Sequence, residues 1–155
     1  MNLQEYLKAI FLFEKFYVDE LNVLCETAQV KEFEDNEMIF AEGSLPDEFY
    51  VVLEGKVSIL KNVAGGRKRV LAVLEESKVF GEISLFDNEP RSAGAEASGD
   101  TKIVSFNIEK FRYILDTNSQ LAAKFQRQII LILGSRIRKT NEKLNQGIIW
   151  GFTTQ

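Results

Sequence analysis

The sequence predicts an α+β fold in which an antiparallel β sandwich or jelly roll lies between an N-terminal helical segment and a long C-terminal helix. Three observations carry this expectation. From Met1 to about Gln29, apolar residues recur at helical spacing: Leu3, Leu7 and Ile10 before the Phe11-Leu12-Phe13 cluster, then Leu21, Leu24 and Ala28. From about Val30 to Phe106 the period changes, and short runs of Val, Ile, Phe and Tyr are punctuated by Asp35-Asn36, Glu42-Gly43, Pro46-Asp47, Glu54-Gly55, Gly65-Gly66 and Gly99-Asp100. After Pro90 the chain has no proline, and Asn107 and Asn118 each stand where a helix N-cap belongs.

The elements follow in order. Val57, Ile59 and Lys61 share one parity and Ser58, Leu60 and Asn62 the other, so this run is a strand with its more apolar face inward. Val70 to Leu74 follows the Gly65-Gly66 turn and completes a hairpin. Asn107 caps a helix through Ile108 to Leu115, and Asn118 caps a long helix from Ser119 to about Asn145. On that helix Leu121, Phe125, Ile129 and Ile132 form one apolar line. Leu133, Ile137, Thr140 and Leu144 form another, with the four-three-four stepping of a helix–helix seam. Around Ile129 to Leu133 the helix is apolar almost all round, which calls for cover on more than one side. A second copy of the same helix is the simplest cover, making a homodimer the expectation.

Composition narrows the chemistry. The 155 residues carry a net charge of −4, no histidine and one cysteine. Histidine-based nucleophile systems, histidine-ligated zinc or haem, Cys-rich iron–sulfur sites and intrachain disulfides are thereby excluded. No paired-carboxylate or metal-ligand motif stands out, so binding rather than catalysis is expected, with no cofactor. The acidic balance argues against generic nucleic-acid coating, although Lys124, Arg127, Arg136, Arg138, Lys139 and Lys143 against Glu142 give the stretch 118–146 a net +5. The acidic Met1-Asn2-Leu3-Gln4-Glu5 start is unlike a signal peptide, no run is long enough to span a bilayer, and Cys25 suits a reducing compartment. A cytoplasmic protein is the expectation.

The densest chemical cluster runs from Phe80 to Ala93. Gly81 ends a strand and lets another group approach the backbone. Glu82 to Phe86 can make one helical turn whose N–H groups point toward Gly81. Pro90 forbids the helix to continue, and Arg91 follows where the next strand is expected. A buried arginine beside such a turn builds a site for one phosphate, and Glu82, of the wrong charge for phosphate, suits a hydroxyl donor such as a ribose.

Gly81-Glu82-Ile83-Ser84-Leu85 followed by Pro90-Arg91-Ser92-Ala93 resembles the phosphate-binding cassette of the cyclic nucleotide-binding domain family. Glu42-Gly43, Asp47, Phe49-Tyr50-Val51-Val52 and Gly55-Lys56-Val57 resemble the family's glycine-bracketed early strands. The likeness covers roughly Leu7 to Leu144. It implies a jelly roll (double-stranded β-helix) spanning residues 1–155 as one domain, with 1–29 helical, 30–106 β, the cassette at 80–93 and the C-terminal helices at 107–146. It implies that Arg91 binds the cyclic phosphate and that Glu82 accepts from the ribose 2′-hydroxyl beside Gly81. Ile83 belongs to the same cassette. The backbone N–H groups of Ser84, Ser92 and Ala93 and the Ser92 hydroxyl would complete the cradle, with Ile59, Leu71 and Ala72 under the base.

Arg136 to Leu144 is similar to the dimer helix of the catabolite activator group, which implies that Arg136 belongs to the site, that Thr140 serves the base in its own subunit and that Asn141 reaches it from the partner. Ser92 is compatible with cyclic AMP or cyclic GMP; Thr140 and Asn141 favour cyclic AMP. The expected function is a cyclic nucleotide sensor that signals to an unidentified effector protein through its long helix, a cyclic GMP receiver or a nucleic-acid-associated regulator being the alternatives. About a dozen residues follow Leu144, too few for the helix-turn-helix of the family's transcription factors. The apolar end Ile148-Ile149-Trp150-Gly151-Phe152 is expected to pack on the domain or to act as a lid or docking segment. Ser77-Lys78 departs from the Gly-Asp that the family prefers before the cassette, and Gly94 from the Thr or Ser after it.

Overall fold

Two four-stranded antiparallel sheets face each other, both visible in a computed structural model that describes the backbone of residues 2–153 and the side chains of residues 2–147. The chain opens with α1 (Leu3–Lys8) and α2 (Val18–Cys25). The strands are β1 (Ala28–Phe33), β2 (Met38–Phe40), β3 (Glu48–Glu54), β4 (Val57–Val63), β5 (Arg67–Leu74), β6 (Val79–Phe80), β7 (Gly94–Ala97) and β8 (Thr101–Asn107). A short helix, α3 (Ser84–Asp87), separates β6 from β7, and α4 (Ile108–Thr117) and α5 (Ser119–Thr153) close the chain. One sheet runs β1-β8-β3-β6 and the other β2-β7-β4-β5, a jelly roll in which neighbours in space are often distant in sequence.

β3 shows why the two sheets and the helices cohere. Its alternate residues point to opposite faces, and both faces are buried. Phe49 and Val51 enter a cluster shared with the helices, while Tyr50 and Val52 enter the space between the sheets with Val57, Phe80, Ala95 and Ile103. In the helical cluster the Phe49 ring stacks on Phe106 at 4.8 Å and meets Phe111 edge-on at 4.9 Å, and Phe111 meets Phe125 of α5 at 4.9 Å. Each buried ring of this kind contributes roughly 1.5–3 kcal/mol by removal from water. α5 is thus anchored to the β domain by its first half. Leu121, Phe125 and Ile129 are buried and Ile132 is half-buried against the same cluster.

Several boundaries differ from the expectation. Ala28 and Gln29 open β1 rather than ending a helix, because the Thr27 hydroxyl donates to the Leu24 carbonyl at 2.7 Å at the end of α2 and Ala28 then pairs with Phe106. The strands extend to Asn107. The capping asparagines behave as expected: Lys110 N–H donates to the Asn107 side chain at 2.9 Å and Leu121 N–H to Asn118 at 3.0 Å. α5 runs past Asn145 to Thr153. The strict alternation expected along β4 is broken by a bulge between Ile59 and Leu60. Arg91 lies in the loop before β7, which begins only at Gly94. The apolar end, residues 148–152, falls outside the described side chains.

Ser77, at the turn between β5 and β6, has φ +68°. The left-handed region costs a residue with a Cβ roughly 1–2 kcal/mol, which is why glycine is the usual choice. Its N–H nevertheless donates to the Val52 carbonyl at 2.9 Å, so the turn is kept by its hydrogen bond. We expect Ser77→Gly to stabilise the domain by up to about 1 kcal/mol, read as a raised urea midpoint with unchanged m-value.

Candidate functional site

Gly81 follows β6 with φ +72°, so the chain turns sharply into the short α3. Leu85 of α3 is buried in the helical core, and Asn88 ends the turn in the left-handed conformation with its N–H on the Ser84 carbonyl at 3.4 Å. On the far side of the loop, Arg91 N–H donates to the Ser44 carbonyl at 2.9 Å and the Arg91 carbonyl accepts from Gly43 N–H at 2.7 Å. The β2–β3 loop therefore fixes the backbone of Arg91, and its side chain is directed inward.

The Arg91 side chain is buried, 5% exposed, yet no carboxylate pairs with it. Its Nη1 donates to the Gly81 carbonyl at 3.1 Å and to the Ser84 hydroxyl at 3.3 Å, and its Nη2 donates to the Glu48 carbonyl. The guanidinium carbon lies 4.2 Å from the centre of the Phe40 ring and 5.7 Å from that of Tyr50, a cation–π arrangement. Its Nε is buried with no hydrogen-bond partner, the one such side-chain atom among the described residues. Burial lowers the Arg91 pKa from its ordinary value, with the fields of Tyr50, Asp47 and Glu48 pulling the other way. A buried, uncompensated cation with a spare donor is costly unless an anion completes it.

Glu82 does not pair with Arg91. It is 1% exposed, and its carboxylate accepts from Nη1 of Arg136 on α5, whose Nη2 donates to the Val79 carbonyl. The two arginines thus differ: Arg91 leaves one donor without a partner, while Arg136 occupies the Glu82 carboxylate.

Arg91, Ser84, Glu82 and Arg136 border one cavity of about 920 Å³ between the β4–β5 hairpin, the cassette and α5. Gly81, Glu82, Ile83, Ser84, Arg91, Ser92, Ala93, Ile59, Leu71, Ala72, Arg136 and Thr140 all line it; Asn141 does not. Ile59 pairs with Ala72 across the hairpin, so the apolar wall expected under a base is a single piece of sheet. Lys61, ion-paired with Glu42 at 2.8 Å, donates to the Ser92 carbonyl at 2.6 Å and so holds the far end of the cassette. Residues not foreseen include Phe40 and Tyr50 around the guanidinium, and Lys139 and Lys143 on the rim. The lysines were readable, because 136, 139, 140 and 143 share a helix face. Phe40 was not, since nothing local ties it to a residue so far along the chain. Among the described residues no group of three or more His, Cys, Asp or Glu side chains could hold a metal, and no helix is long and apolar enough to cross a membrane.

The profile of the family described as "Cyclic nucleotide-binding domain" matches residues 30–118, more than half of the chain. The chain belongs to the cyclic nucleotide-binding domain family. A curated relative, the CRP-like cAMP-activated global transcriptional regulator of Mycobacterium tuberculosis, is 28% identical over 92% of this chain and 62% of its own length. The chain therefore spans about three fifths of that relative. Among solved structures, the N-terminal domain of a transcriptional regulator from Streptomyces coelicolor is 29% identical with a TM-score of 0.71, covering 90% of this chain and 94% of that one. The regulatory domain of Toxoplasma gondii PKA, crystallised with cAMP, is 27% identical with a TM-score of 0.65, over 72% of this chain and 42% of that one.

Gly81 is needed for two reasons in this member of the family. Its φ is positive, and a Cβ there would stand 2.8 Å from Arg91 Nη1. We expect Gly81→Ala to lower stability by about 1–2 kcal/mol through the left-handed backbone alone, measured by urea unfolding. The displaced guanidinium should in addition weaken cyclic nucleotide binding, read by calorimetry on the same variant.

Proposed function

We propose that this cyclic nucleotide-binding domain is a cyclic AMP sensor that works as a homodimer and passes ligand occupancy to a protein partner through α5. The observation that carries the reading is the buried Arg91, which lines a cavity large enough for a nucleotide, has no carboxylate partner and leaves its Nε without a hydrogen bond. A cyclic phosphate supplies the missing charge. The guanidinium fork and the cassette amides hold it, and charge-assisted bonds of this kind contribute roughly 1.5–3 kcal/mol each.

Glu82 lies beside Gly81 to receive the ribose hydroxyl. Because Arg136 already holds that carboxylate, ligand entry and the placement of α5 are linked: a ligand that shares or displaces Arg136 favours one arrangement of the helix over another. The base lies against the apolar wall of Ile59, Leu71 and Ala72, and Thr140 lines the same cavity. Cyclic AMP is preferred to cyclic GMP on the strength of Thr140 and Asn141 and of relatives named for that ligand.

The dimer rests on the uncovered face of α5. Ile130, Ile137 and Leu144 are 67%, 61% and 60% exposed, and they recur at seven-residue intervals with Leu133 and Thr140 between them. A second α5 packed in parallel covers this stripe. Asn141, beside the stripe and off its own subunit's cavity, is then placed toward the partner's site.

The deciding experiment is calorimetric titration with cyclic AMP and cyclic GMP. Cyclic AMP is expected to bind, and no binding of either at millimolar ligand overturns the reading. Arg91→Lys should weaken binding by roughly 10–100-fold, because an ammonium cannot reproduce the planar fork; an unchanged affinity removes Arg91 from the phosphate site. Ile137→Glu should convert a dimer to a monomer in sedimentation velocity, and a wild-type monomer at all concentrations sinks the dimer.

A further inference from the structure

The short helix that carries the cassette has little to hold it in place. Four residues are below the length at which a helix sustains itself, and its terminal carbonyls have no partner within the helix. One of them, the Leu85 carbonyl, is met from outside by Arg112, on the second turn of α4. Its Nε donates to the Leu85 carbonyl at 3.0 Å, and its Nη2 donates to the same oxygen at 2.9 Å and to Asn88 Oδ1 at 2.8 Å. Nη2 also lies 3.5 Å from the Ser84 carbonyl. A cation at a helix C-terminus is favoured both by the dipole and by the unpaired oxygens.

Arg112 forms no ion pair among the described residues, so its charge is directed entirely at α3 and Asn88. Ser84, whose backbone lies under this fork, offers its hydroxyl to Arg91 Nη1 on the other side. One arginine therefore grips the cassette turn from behind while the other lines the cavity in front of it.

We propose that Arg112 is a positioning residue for ligand binding: it fixes α3 so that Ser84 and Arg91 stay in register around the phosphate. The assignment rests on the cyclic AMP reading above. Loss of the fork leaves α3 held by the buried Leu85 side chain, the Phe86–Phe125 ring contact and the Ser84–Arg91 bond, with no side-chain donor on the Leu85 carbonyl.

The test is a cyclic AMP titration of wild type, Arg112→Gln, Arg112→Lys and Asn88→Gly. Arg112→Gln should lose affinity by about tenfold, a size fitting charge-assisted bonds lost one step away from the ligand. Arg112→Lys should recover part of that loss, since one ammonium reaches one oxygen at a time. Asn88→Gly keeps the left-handed turn, deletes one acceptor and should lose about twofold to threefold; it also serves if Arg112→Gln does not fold. A double-mutant cycle with Ser84→Ala separates positioning from general stability. If Arg112 acts through the cassette, its removal costs less in the Ser84→Ala background than in wild type.

Additive losses, or wild-type affinity in Arg112→Gln, overturn the assignment while the cyclic AMP reading stands. A wild-type protein that binds no cyclic AMP overturns that reading and the Arg112 assignment with it.

Discussion

A guanidinium buried without a counter-ion is the constraint around which this domain is arranged. Desolvating a charge is costly unless hydrogen bonds and an opposite charge compensate it. Here the protein supplies carbonyls from Gly81 and Glu48, a hydroxyl from Ser84 and the faces of Phe40 and Tyr50, but no carboxylate. The nearby Glu82 is engaged by a different arginine. What remains is a site that is neither apolar nor neutralised, which is the condition an anion of fixed shape satisfies best.

The rest of the fold is what keeps that arrangement from relaxing. β3 contributes the Glu48 carbonyl and the Tyr50 ring while its other face builds the aromatic cluster that holds α4 and α5. The Gly81 turn follows β6, which pairs with β3 so that Phe80 faces Tyr50. β3 thus joins the Arg91 end of the cavity to the helices. The cassette is bonded directly to α4 through the Arg112 fork and to α5 through Arg136.

Much of this was legible in the sequence because the signals are local. The Gly81-to-Ala93 run is contiguous, the capping asparagines act within three residues, and the periods of α5 and of the hairpin are visible along the chain. The exceptions share a cause. Ala28 sits at helical spacing after Leu24, and nothing in the neighbouring residues announces that Phe106 will claim it as a strand partner. Glu82 meets Arg136, a residue 54 positions away, and no local pattern announces that pairing. Phe40 and Arg112 have ordinary surroundings in the primary structure and gain meaning only when the sheets close. The left-handed backbone at Ser77 is similarly silent, since serine carries no mark of a positive φ.

The Arg136–Glu82 pair has a consequence for how sensitivity is set. On the proposed reading, the unliganded molecule already carries an internal competitor, so the response threshold is a balance between two bound forms. Substitutions along α5 far from the cavity can then raise or lower that threshold by altering how readily the helix yields its arginine. Tuning by evolution, or by design, need never touch a residue that contacts the nucleotide.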